Sequence, residues 1–343
     1  MSKPKASNSA SLKLRTLGEL LDEQFPSREP LLGSWLLQRQ LCMVYAATGV
    51  GKSMFTLAAA LAVAGGCEYL GWKAPEARRV LLVDGEMDIA ELQERAKLLM
   101  QAMPELDTAT ARKNLMLLAQ QDQPLEVAFP DLAEEEGRLE VISRARKHKA
   151  ALVILDNFST LATVEDENDA ASFNPFIDLM RRLKQGGTSC ILVHHTRKDG
   201  ETYRGTSKIA VTFDTIIKLS HLDGIPSHGG TQFELDWDKF RRLRDGSSQP
   251  LRVKLEPGAD GSPSIWNCEV SDKNRLKELV GLVQSLEYRT QLDLAAAIKV
   301  SGGQLHNLKR KAIAAGFITS EKWKQCLVDA KRLDEPDDPA GDF

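Results

Sequence analysis

Residues 46–53 read Ala46-Ala47-Thr48-Gly49-Val50-Gly51-Lys52-Ser53, with two glycines, a lysine and a hydroxyl at the spacing of a phosphate-cradling loop. Gly49 and Gly51 let successive backbone N–H groups turn inward, toward phosphate oxygens at the positive end of the next helix. The Lys52 ammonium can reach the β- and γ-phosphates, and the Ser53 hydroxyl can ligate Mg²⁺. One position departs from the pattern: Ala46 stands where the first glycine usually does, which an extended backbone tolerates. These residues, with Met54 opening the helix behind them, predict a site for ATP and Mg²⁺.

Further chemistry-bearing residues sit at the ends of apolar runs. Asp156 follows Leu152-Val153-Ile154-Leu155, at the edge of a parallel sheet where ligands bind, and is expected to join Ser53 on the metal. Hydrolysis needs a base to orient water. Asn157 and Phe158, not acids, follow Asp156, so the candidate base is Glu86, just beyond the run ending Val83-Asp84, with Asp84 and Asp88 as substitutes. The run 190–193 ends in His194-His195-Thr196-Arg197. His195 is expected to touch the γ-phosphate and report its loss, and His194 to serve structurally. In the basic turn 239–244, alternation places Lys239 and Arg241 on one face; they are either a surface turn or a pair reaching a neighbour's phosphate.

The elements that must position these groups alternate between strand and helix from about residue 30 to 255. Apolar runs at 41–45, 80–84, 115–119, 152–156 and 188–193 read as buried strands, and 54–64, 89–103, 134–148 and 174–184 as helices. The pattern implies an α/β fold with a mostly parallel sheet covered on both faces. Segments 214–220, 231–236 and 250–255 are expected to extend it antiparallel, with 265–267 closing a last hairpin. Beyond a turn at 256–263, three short helices are expected from about 274. Thr290 and Ser301 are their caps, and Gly316-Phe317-Ile318 should start a strand.

These motifs together resemble the RecA-like, plasmid RepA-type hexameric replicative helicases over about residues 30–255. The central stretch is the closest: Leu152-Val153-Ile154-Leu155-Asp156-Asn157, then Glu165-Asp166-Glu167-Asn168-Asp169, Leu192-Val193-His194-His195-Thr196-Arg197-Lys198 and Tyr203-Arg204-Gly205-Thr206-Ser207. The resemblance implies Lys52 and Ser53 on the triphosphate and Mg²⁺, Glu86 as base, Asp156 on the metal, His195 as sensor, and Lys239 and Arg241 as a finger acting in trans. It also implies a homo-oligomeric, hexameric ring around single-stranded DNA, gripped by Arg197, Lys198, Tyr203, Arg204 and Lys208, or else an ordinary loop there. A replication initiator or loader would be its partner.

Residues 275–332 carry eleven Lys or Arg against five Asp or Glu. Helix, turn, helix and a following strand resemble a winged helix-turn-helix over 274–332, with Lys309, Arg310 and Lys311 on its second helix as DNA contacts; protein docking is the other reading. Leu292, Leu294, Ile298, Leu305, Leu308 and Ile313 are its expected core. The ATPase domain is placed at 26–270, between a flexible arm at 1–25 and, past the module, an acidic disordered tail at 333–343.

Five dispersed cysteines without metal spacing fit a reduced, cytoplasmic protein. The chain's 343 residues contain no run of 18 apolar ones, so no membrane span is expected. Two other functions stay open: an ATP-switched DNA-binding regulator or recombination mediator that never unwinds, and a nucleotide-dependent scaffold.

Overall fold

The computed structural model describes residues 12–25, 27–163, 171–196, 203, 207–222, 230–242, 248–256, 258 and 264–332. Within the segment expected to be a flexible arm, Leu17–Asp22 form a short helix, α1. The Thr16 hydroxyl accepts from Glu19 N–H and the Glu19 carboxylate accepts from Thr16 N–H, a reciprocal cap.

Two small strands, β1 (Pro30–Leu32) and β2 (Leu36–Leu37), form a hairpin before β3 (Leu41–Ala46) and helix α2 (Lys52–Gly65). A second hairpin, β4 (Glu68–Tyr69) and β5 (Trp72–Lys73), leads to β6 (Val80–Asp84) and α3 (Ile89–Gln101). Next come α4 (Thr108–Asn114), β7 (Leu115–Ala119), α5 (Glu135–His148), β8 (Leu152–Asp156) and the one-turn α6 (Phe158–Leu161). The core closes with α7 (Asn174–Gln185), β9 (Ser189–His195), α8 (Ser207–Thr212), β10 (Thr215–Ser220), β11 (Thr231–Phe240), β12 (Leu251–Glu256) and β13 (Ile265–Val270).

Nine of these strands form one sheet in the order β13-β12-β11-β10-β3-β9-β8-β6-β7. The six strands from β10 to β7 run parallel, and β11, β12 and β13 are antiparallel. β10 therefore corrects one expectation: it pairs parallel with β3 and is the last parallel strand, not the first of the antiparallel extension. Strand alternation divides the core. Cys42, Val44 and Ala46 face a cluster with α2, while Leu41, Met43 and Tyr45 face one with α7. The alanine-rich α2 is buried along almost its whole length. It is held at its start by Phe55, whose ring lies 6.0 Å from Phe233 of β11.

The C-terminal residues form α9 (Lys273–Gln284), α10 (Gln291–Ala297), α11 (Gly302–Ala314) and α12 (Ser320–Arg332) around their own core of Leu276, Leu279, Leu294, Leu305, Leu308 and Trp323. Thr290 and Ser301 cap α10 and α11 as expected. The strand expected after Gly316 is instead α12: Thr319 accepts from Lys322 N–H, and Trp323, Cys326 and Ala330 are buried at helical spacing. Leu292, expected in the core, is 79 % exposed. Among the described residues the module has no wing.

Candidate functional site

The loop between β3 and α2 takes its shape from its glycines. Gly49 has φ +80° and Gly51 φ +110°, left-handed conformations that cost a side-chain-bearing residue energy. Lys52, buried just behind, turns its ammonium back to donate to the carbonyl oxygens of Ala46 at 3.1 Å and Ala47 at 3.0 Å. Val50 is buried beneath the loop.

The sheet order brings the carboxylates to this loop. β9 separates β3 from β8, and β8 lies beside β6 with Asp84 and Asp156 as register partners at the strand ends. Asp84 is spent on structure: its Oδ1 accepts from Glu86 N–H at 3.0 Å and Met87 N–H at 2.7 Å, shaping the turn that presents Glu86. The Asp156–Asn157 peptide is cis. Asn157 donates from Nδ2 to Glu86 Oε2 at 2.5 Å, so the carboxylate expected to act as base is fixed by the residue after the expected metal ligand.

A cavity of about 750 Å³ opens over these groups. Thr48, Gly49, Gly51, Lys52, Ser53, Met54, Glu86, Asp156 and His195, predicted from sequence, all line it, as do Asp84 and Asp88. Sequence reasoning missed Asn157, Arg95, Gly230 and Thr231, which line it too. Arg95 was legible in principle: with Asp88 capping α3, Glu91 and Arg95 fall on one face, where they pair at 3.2 Å. Gly230 and Thr231 were not, because their strand lies some 180 residues from the loop in sequence.

The electrostatics of the cavity are unbalanced. Burial pushes the Asp156 carboxyl up to about 7, helped by the Asp84 charge and opposed by a hydrogen bond from Ser53 and by Lys52. Burial also raises Asp84, against the backbone N–H bonds of Met87 and Glu86. The Lys52 ammonium is pushed down by burial, with Asp156 and Glu86 pulling the other way. Two desolvated carboxyls beside a hydroxyl and a desolvated ammonium suit a divalent cation together with phosphate oxygens. No group of three or more His, Cys, Asp or Glu among the described residues is arranged as a complete metal cage. The residues present thus fit Mg²⁺ held by Ser53 and Asp156 with a nucleotide completing its shell.

His194 is fully buried, its ring 5.0 Å from Phe158 and 5.1 Å from Phe173, while His195 reaches the cavity. Lys239 and Arg241 are not brought to this cavity. β11 runs antiparallel, so its end lies at the opposite sheet edge. There Lys239 donates to Ala210 O at 2.6 Å, and Arg241 to Val211 O at 3.2 Å and Asp214 Oδ1 at 3.1 Å. Asp214 also accepts from Leu41 N–H and Lys184.

Arg197, Lys198 and Arg204, and the side chain of Lys208, lie outside the described residues, as does the 165–169 stretch. Tyr203 is half-buried, edge-on to Tyr45 at 5.2 Å; the Tyr45 hydroxyl donates to Asp238. On α11, Lys309 lies over the Trp323 ring at 5.1 Å, Lys311 pairs with Asp272, and Arg310 is exposed.

Loop, carboxylate strands and sheet order together define a P-loop NTPase with a mostly parallel α/β sheet. The chain belongs to the AAA domain family, whose model matches residues 7–201. Among solved structures it is similar to the KaiC-like protein of the hyperthermophilic archaeon Pyrococcus horikoshii OT3, at 13% identity and a TM-score of 0.46, over 67% of this chain and 91% of that one. No curated protein matches the chain. Among the described residues no helix is long and apolar enough to cross a membrane.

Proposed function

We propose that this P-loop NTPase is an ATP-driven motor on single-stranded DNA, a RepA-like replicative helicase of a plasmid, phage or integrated element. It would work as a homo-oligomeric ring, a hexamer, in the cytoplasm with an initiator or loader. The observation carrying this reading is the convergence of Lys52, Ser53, Asp156, Glu86 and His195 on one cavity. His195 closes the strand that leads into the basic segment 197–208.

In this reading the backbone of residues 47–54 wraps the phosphates, and Lys52 exchanges the Ala46 and Ala47 carbonyls for phosphate oxygens. Mg²⁺ held by Ser53 and Asp156 supplies positive charge to the phosphate chain. Glu86 accepts a proton from the attacking water on one oxygen while Asn157 fixes the other. His195 senses the terminal phosphate and passes its loss to the segment holding Arg197, Lys198, Tyr203, Arg204 and Lys208. Lys239 and Arg241 leave Asp214 and the 210–211 carbonyls to reach a neighbour's nucleotide. The test is unwinding of a forked DNA by the purified chain with ATP, with Lys52→Ala as control. ATP hydrolysis without unwinding, at any loading of the fork, would reject the motor.

The second reading, an ATP-switched DNA-binding regulator, is favoured by the C-terminal helices. His306, Asn307 and Arg310 lie exposed at neighbouring positions of α11, suited to a DNA groove. That reading expects tight duplex binding and no unwinding.

A further inference from the structure

β11 begins at the nucleotide cavity. Thr231, its first residue, lines that cavity, and Gly230 before it does too. Thr231 is 8 % exposed. Its position against the loop is close: a Cβ built on Gly51 would lie 2.5 Å from Thr231 Oγ1 and 3.4 Å from the Phe233 ring. Gly51 is therefore bare for two reasons, its left-handed backbone and the hydroxyl occupying the space beside it.

Neither side of this contact is loose. Thr231 pairs with Leu255 of β12, and Phe233, two residues on, packs against Phe55 in the first turn of α2. The hydroxyl is thus fixed beside the glycine that precedes Lys52, on β11 rather than on the carboxylate strands β6 and β8. A hydroxyl on a cavity-lining residue, held against the phosphate-cradling loop, is placed to donate to an anionic oxygen there.

We propose that Thr231 is a nucleotide-binding residue whose hydroxyl donates to a phosphate oxygen of the nucleotide held by residues 47–54. The inference rests on the nucleotide reading of that cavity. It makes β11 part of the phosphate site: one strand carries a phosphate ligand at one end and the Lys239–Arg241 pair at the other.

The test is equilibrium binding of ADP and of inorganic tripolyphosphate, each with Mg²⁺, to the full chain and to Thr231→Val and Thr231→Ser, with thermal melting of each protein. Valine keeps the branched shape and removes the donor; serine keeps the donor. A hydrogen bond to a charged oxygen predicts that valine weakens both ligands about tenfold or more, that serine stays within about threefold of the parent, and that melting is little changed. Equal binding by parent and valine variant, or equal loss in valine and serine, would overturn the role. So would weakening of ADP with tripolyphosphate unaffected, which would move the contact to the nucleoside. If the parent chain bound neither ligand, the nucleotide reading itself would fail, and this role with it.

Discussion

Each edge of the central sheet carries a buried carboxylate near a lysine, and the two behave oppositely. At the loop edge, Asp156 is pushed up and Lys52 down, because burial removes water faster than neighbours replace it. At the far edge, burial also acts to raise Asp214. There the Lys184 hydrogen bond at 2.8 Å, the Leu41 N–H and the Lys184 and Arg241 charges outweigh it and hold the group below the usual carboxylate range. One cluster is completed by the chain itself; the other waits for something to complete it. The difference separates an ion cluster satisfied within the chain from one poised for a ligand, without any reference to motif.

Substitutions at the two edges should therefore fail in different currencies. The largest effect belongs to Lys52→Ala, expected to lower ATP turnover about a hundredfold to a thousandfold with no loss of melting temperature, since a desolvated ammonium is removed. A variant that hydrolysed ATP at the parent rate would erase the distinction. Asp214→Ala should do the reverse. It removes the acceptor of the buried Leu41 N–H and the partner of the more exposed Lys184 and Arg241, and is expected to cost about 1–2 kcal/mol in urea unfolding, while nucleotide affinity stays near that of the parent.

Glu86→Gln should lower turnover about a hundredfold with nucleotide affinity retained, and Asn157→Ala should lower it less, because it frees the carboxylate without removing it. Equal turnover in Glu86→Gln and parent would transfer the base to Asp84 or Asp88.

The smallest effect is in pH. The folded Asp156 carboxyl sits at about 7, above the roughly 4 of an unfolded chain, so the folded state binds the extra proton. Without nucleotide or Mg²⁺, its contribution to stability should be full below about pH 4 and should decline as pH rises to about 7. Asp156→Asn should flatten that part of the melting-temperature profile. Affinity for Mg²⁺-nucleotide should move the opposite way, strengthening as pH rises toward 7. A profile identical in parent and variant would place the buried proton elsewhere.

Much of the site was readable from local order. Strand, loop and helix at 41–65 depend on contiguous residues, and an aspartate after four buried residues must emerge at a strand end. Glu86 could be placed by the same logic, but not its clamp: Asn157 is 71 residues away and meets it only because β8 lies beside β6. α4 escaped notice because its residues 108–114 are polar. Its Asp107 cap and the seat of Ala111 against Gly65 define it, the second a contact with another helix. The expected wing failed for a comparable reason. Gly316-Phe317-Ile318 has strand composition, but Trp323 and Cys326 find a hydrophobic partner surface in α9 and α11, and a capped helix buries them better.

The sequence alone determined where phosphate-binding backbone and acidic side chains occur, because glycine spacing and apolar runs act over a few residues. Tertiary structure alone decided which strands are neighbours. It thereby decided that Thr231 would stand against Gly51, that Asn157 would hold Glu86, and that Lys239 and Arg241 would lie across the sheet from the loop. Strand pairing is set by the packing of two whole faces, a balance summed over the fold and written in no single segment.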